Sequence, residues 1–109
     1  MLVEVFYGKV GFMRDACLGS KWLRARNMLP TIHSFHETHE QVYQVEVSPE
    51  GFSIETLFYD LNVNPDKINS DNFKPEDSSV WHQSITIGDI IRYQGATFMI
   101  DFSGLKKLE

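Results

Sequence analysis

Cysteine is nearly absent: Cys17 is alone among 109 residues, so no internal disulfide can form and the chain suits a reducing cytosol. Long apolar runs are missing too. Charge interrupts each hydrophobic stretch well short of the ~18 residues a membrane span needs, so no membrane partner is expected. The start, MLVEVFYGK, lacks a basic region leading into an apolar one and reads as a first strand rather than a signal peptide. Glycine and proline are sparse, at seven and four, which excludes collagen-like and low-complexity architecture. Neither GxGxxG nor GxxxxGK followed by Ser or Thr occurs, so the common phosphate-cradling loops are excluded. What is present, 42% hydrophobic and 23% charged residues, is the composition of one soluble globular domain spanning 1–109.

Charge is distributed unevenly. Residues 1–26 carry a local +3, residues 27–66 contain no Lys or Arg and carry −7, and residues 67–109 carry −1, giving −5 overall. The acidic total argues against a general nucleic-acid coat, while the asymmetry suits a dipolar surface that orients a partner.

Hydrophobic periodicity predicts the order β-α-β-α-β-β, with a further short strand around residues 105–108. Val3, Val5 and Tyr7 alternate with Glu4 as a half-buried strand over 2–7. From Phe12 to about Arg26 the spacing is helical, with Met13, Ala16, Cys17, Ser20 and Leu23 on a buried face and Arg14, Lys21 and Arg24 on the other. Gly19 lowers helix stability by about 1 kcal/mol relative to Ala and marks where this helix would divide. Residues 27–40 read as loop, and 41–47 as a strand with Tyr43, Val45 and Val47 inward. Ser53 caps a second helix with a stripe at Ile54, Leu57, Phe58 and Leu61. A polar connection over 62–83 leads to strands over 85–94 and 96–102, turning at Gln94-Gly95, with Phe98, Ile100 and Phe102 inward.

These elements predict an α+β fold: a small, mostly antiparallel sheet with two helices packed on one face.

Few residues carry chemistry at a useful spacing. His33, His36 and His39 are candidate metal ligands by residue type. Their three-and-three spacing is not that of a helical zinc-protease pair, so no metal or other cofactor is expected. Cys17 falls on the expected buried face, where a thiol packs as a small hydrophobe. Arg14, Lys21 and Arg24 are candidate phosphate contacts. Gly88 sits inside an expected strand with Ile on both faces, the signature of a bulge or of another backbone coming close, and Asp89 beside it suits a backbone N–H. No nucleophile, base or oxyanion site can be assembled from these, so no catalytic residues are expected and the chain reads as a non-enzyme.

The stretch His82-Gln83-Ser84-Ile85-Thr86-Ile87-Gly88-Asp89-Ile90-Ile91, followed by Gln94-Gly95, Phe98, Asp101-Phe102 and Gly104-Leu105, resembles the YodL-like module. That module occurs in proteins of phages, plasmids and conjugative elements. Leu105 stands where an aromatic is usual. Upstream, Ala16-Cys17-Leu18 and Thr38-His39-Glu40 are similar to elements of short uncharacterised phage and plasmid proteins. The resemblance implies a C-terminal β-hairpin module over 82–109, with Gly88, Asp89, Gly95 and Gly104 as its structural motif. It also implies a cytoplasmic mobile-element accessory protein. A protein-interaction role, with an acidic DNA mimic as its variant, is the leading expectation. A nucleic-acid-associated accessory protein using the basic first helix, with weak binding, is the alternative. A metal- or cysteine-dependent enzyme is a third.

Overall fold

The alternation of Val3, Val5 and Tyr7 produces the strand that organises the molecule. In a computed structural model, which describes residues 2–46, 50, 53, 85–102 and 104–109, β1 (Leu2–Gly8) is an interior strand, paired on both sides, of a five-stranded antiparallel sheet. The sheet also contains β2 (His39–Glu46), β3 (Ile90–Tyr93), β4 (Ala96–Asp101) and β5 (Gly104–Lys107), in the order β2-β1-β3-β4-β5. Two helices, α1 (Val10–Ala16) and α2 (Ser20–Ala25), and a 3-10 turn over Phe35–Glu37 complete the described elements. This is the α+β arrangement expected. The capped helix after Ser53, its stripe at Ile54, Leu57, Phe58 and Leu61, and the 62–83 connection lie outside the described residues.

The period of two along β1 separates two apolar layers. Val3, Val5 and Tyr7 join Val42, Ile85, Ile91 and Ile100 on one face. Phe6 joins Ile90, Met99 and Leu108 on the other, where Ala16 of α1, Leu23 of α2 and Phe35 pack over them. Burying each side chain of this size contributes about 1.5–3 kcal/mol, which is why both helices dock on the Phe6 face. Phe6 and Phe35 meet edge to face with centroids 5.0 Å apart. At the rim of that face, Arg92 makes a two-pronged ion pair with Glu4, its cross-strand neighbour, at 3.0 and 2.9 Å.

The helical stretch over 12–26 divides at Gly19 as expected, since no helix accommodates its φ of 95°. Other local expectations change. The separation turns Cys17 outward, so the thiol is exposed instead of buried. The third strand begins at Ile90, not Ile85, because residues 87–88 turn. The loop over 27–40 includes the 3-10 turn and gives way to strand already at His39. In β2, register pairs Tyr43 with Val5 and Val45 with Val3, while the inward placement expected of Tyr43, Val45 and Val47 lies outside what is described. A bulge follows, since Phe6 pairs with Gln41, and it frees Val42 to enter the core at 3% exposure. Phe102, expected inward, is 69% exposed because β4 ends one residue earlier.

The β3–β4 hairpin forms as its sequence dictates. Tyr93 pairs with Ala96 across Gln94-Gly95, whose φ values of 51° and 76° are both left-handed. A two-residue connection with that geometry matches the right-handed twist of the strands it joins, and glycine enters it without steric cost. Gly104 opens β5 opposite Asp101. Among the described residues no helix is long and apolar enough to cross a membrane.

Candidate functional site

Two of the polar residues singled out in the sequence, His39 and Asp89, meet where the end of β1, the start of β2 and the end of α1 come against the turn leading into β3. Asp89 is fully buried. Its Oδ1 accepts the N–H of Gly8 at 3.0 Å and its Oδ2 accepts the N–H of Thr86 at 2.8 Å. Its own N–H donates to the Thr86 carbonyl at 3.0 Å, and its carbonyl accepts the N–H of Ile100 at 2.8 Å. Charge-assisted bonds of this kind are about twice as strong as neutral ones, and here they fasten a turn and the end of β1 to one carboxylate.

Gly88 is both a bend and a close approach. Its φ is 99°, and a Cβ placed there would lie 2.7 Å from Cβ of Ala16 and 3.0 Å from that residue's carbonyl carbon. Helix α1 therefore ends directly against the Gly88 backbone. The Gly88 N–H donates to Ile100 at 2.9 Å, and its carbonyl accepts Nε2–H of His39 at 2.6 Å. A carbonyl only accepts, so Nε2 carries the proton. Nδ1 lies 2.9 Å from the Thr38 hydroxyl, and the Phe12 ring approaches the imidazole edge-on at 5.3 Å. His39 is 1% exposed and both ring nitrogens are occupied by the protein.

The three histidines of the loop segment are not brought together. His39 is buried at the start of β2, whereas His33 and His36 are exposed. Among the described residues no group of three His, Cys, Asp or Glu side chains is placed to hold a metal ion.

A second carboxylate was not singled out by the sequence. Asp101, at the end of β4, accepts the N–H of Ser20 at 3.2 Å and also the Ser20 hydroxyl, and so caps α2 from outside the helix. It accepts the N–H of Phe102 at 2.9 Å as well. Partial burial pushes its carboxyl upward. The Ser20 hydroxyl, the two backbone N–H groups and the Lys106 ammonium outweigh that and hold it below the ordinary carboxylate range. The only hint in the sequence was the division at Gly19, just before Ser20; the capping partner lies 81 positions away.

Beside this cap the surface turns apolar. The Phe102 ring lies over Gly19, where a Cβ would meet it at 2.8 Å. Leu18 next to it is 46% exposed. Arg14, Lys21 and Arg24 are also exposed, and none is in an ion pair among the described residues. Arg26 instead stacks on Trp22, with its guanidinium carbon 3.1 Å from the ring centroid.

Comparison of the chain with protein-family models, with curated proteins and with solved structures finds no match.

Proposed function

We propose that this chain is a non-enzymatic protein-interaction module, an accessory protein of a phage, plasmid or similar element that acts on a host or element-encoded protein in the cytoplasm. The observation that carries the interaction role is the exposed pair Phe102 and Leu18 around Gly19. A Phe that is 69% exposed, held on a tight turn against a glycine, gains little for folding and is pre-set to fill a partner's pocket. The side chains with acid–base capacity nearest the motif, His39 and Asp89, are engaged in holding backbone. The mobile-element context rests on the YodL-like resemblance of residues 82–105.

The test is affinity capture from the native host with the wild-type chain and with a Leu18→Asp, Phe102→Asp double variant, followed by direct binding of whatever purified protein distinguishes them. A partner that binds the wild type and is lost from an equally stable variant supports the assignment. An identical set on both removes it.

The second assignment, a nucleic-acid-associated accessory protein, draws on the exposed Arg14, Lys21 and Arg24, which have no ion pair among the described residues. It requires DNA or RNA binding that weakens steeply with salt and is lost on neutralising those three residues.

A further inference from the structure

The outer edge of β5 borders a groove of about 350 Å³. Its apolar lining is Leu29, Pro30 and Leu108, and its cations are Arg24, Lys106 and Lys107. Lys106 is partly balanced by Asp101. Arg24 and Lys107 have no ion-pair partner among the described residues, and Glu109 is the one acid on the lining.

The direction of the backbone groups follows from the ladder. Residues of an antiparallel strand turn their N–H and C=O alternately toward and away from a given neighbour. The Leu108 N–H donates to Thr97 of β4 at 2.9 Å, so Leu105, Lys107 and Glu109 turn their backbone groups outward. At Glu109 this edge is already used: its carbonyl accepts the N–H of Ile32 at 3.1 Å from the loop after α2. The outer edge of β5 thus already takes one backbone bond at its end, from a turn residue, and Leu105 and Lys107 extend the same row of outward groups.

From this edge and its charge we infer that β5 is a docking edge for an extended acidic segment of a protein partner, added as a sixth strand with apolar side chains entering the groove. The inference rests on the protein-interaction role proposed above. Lysines on an edge strand repel a second copy of the same edge and leave it open to a strand of opposite charge. Backbone pairing supplies the affinity and the side chains the selectivity. A nucleic acid fits less well, because its backbone offers no N–H to the outward carbonyls and the groove lining contains no aromatic ring for a base to stack on.

The experiment is fluorescence anisotropy of the full chain with a dye-labelled peptide of about ten residues, Glu alternating with Val. The same peptide with Lys in place of Glu and an oligothymidylate of equal length serve as comparisons. The acidic peptide binds, weakens with added salt, and loses about tenfold or more in affinity to the Lys106→Glu, Lys107→Glu variant. Lys107→Pro, which removes an outward N–H but no bond to β4, binds more weakly than Lys107→Gln, which removes only the charge. Melting of each variant confirms that it is folded. The proposal is overturned if the acidic peptide does not bind, if the charge reversal leaves its affinity unchanged, or if the Lys peptide or the oligonucleotide binds as tightly. It is overturned too if Lys107→Pro and Lys107→Gln bind alike. A partner lost from the Leu18, Phe102 double variant but retained by the Lys106, Lys107 variant leaves the interaction role standing and removes only the β5 edge.

Discussion

Asp89 holds the end of β1 in place: its Oδ1 accepts the backbone N–H of Gly8, 81 positions earlier, at 3.0 Å, while Oδ2 holds Thr86 at 2.8 Å. Both carboxylate oxygens are acceptors and both partners are backbone donors, the Gly8 N–H buried and the Thr86 N–H partly so.

Asp89→Asn retains one acceptor and sets an NH2 group against the other backbone donor. From the sequence, with Asp89 in an irregular turn, the expected loss is at most about 1–2 kcal/mol. The two-sided geometry raises it to about 2–4 kcal/mol, read from urea unfolding at neutral pH. A variant as stable as the wild type would show that Asp89 is not structural.

Gly88→Ala combines a left-handed backbone with a Cβ 2.7 Å from Ala16, and the atoms it meets include the helix backbone, which cannot rotate away. The expected cost is about 2–4 kcal/mol, and Gly88→Val aggregates on expression. Gly95→Ala is the control: its φ of 76° is equally left-handed, but a Cβ there meets nothing within 4 Å. Conformational strain alone costs about 1 kcal/mol, so thermal melting ranks Gly88→Ala well below Gly95→Ala.

Acidification weakens the cap on α2. The pKa of Asp101 is depressed in the folded state, so its contribution is present above the unfolded value of about 3.9 and is lost as pH falls through the folded value. Stability measured from pH 5 downward therefore falls more steeply for the wild type than for Asp101→Asn. Parallel profiles would mean that the Ser20 contacts do not favour the charged form.

Chelation leaves the melting temperature unchanged. The one buried histidine of the three spends both nitrogens on Gly88 and Thr38, and His33 is exposed on a turn. His33→Ala stays within about 0.5 kcal/mol of wild type, whereas His39→Ala, which leaves the Gly88 carbonyl unpaired, costs about 1–3 kcal/mol. A fall in melting temperature on adding chelator contradicts this.

Phe102→Ala changes stability by about 0.5 kcal/mol or less, as an exposed ring does, while Leu23→Ala costs about 2–5 kcal/mol because it empties a buried position between α2 and the sheet. A large loss from Phe102→Ala would make the ring a structural lid over Gly19 and remove it from the interaction surface.

The sequence by itself determined the features that depend on neighbours within a turn or two. The alternation of Val3, Val5 and Tyr7 fixes β1 and its two faces, Gln94-Gly95 fixes a hairpin that only left-handed residues can make, and Gly19 parts the helix. Gly88 and Asp89 were legible as a bend with a backbone-binding acid, since apolar residues on both parities beside a glycine have few other meanings. Only the tertiary structure decided which groups they serve. Asp89 to Gly8 and Asp101 to Ser20 each join residues 81 positions apart, and no local pattern records a partner at that range. The same holds for His39, polar in sequence but buried because strand pairing begins at Gly8 and carries it under Phe12. Phe102 was misplaced because alternation continues past Asp101 in the sequence. The strand itself ends there, where the Asp101 side chain turns to cap α2 and the Phe102 ring comes to rest over Gly19.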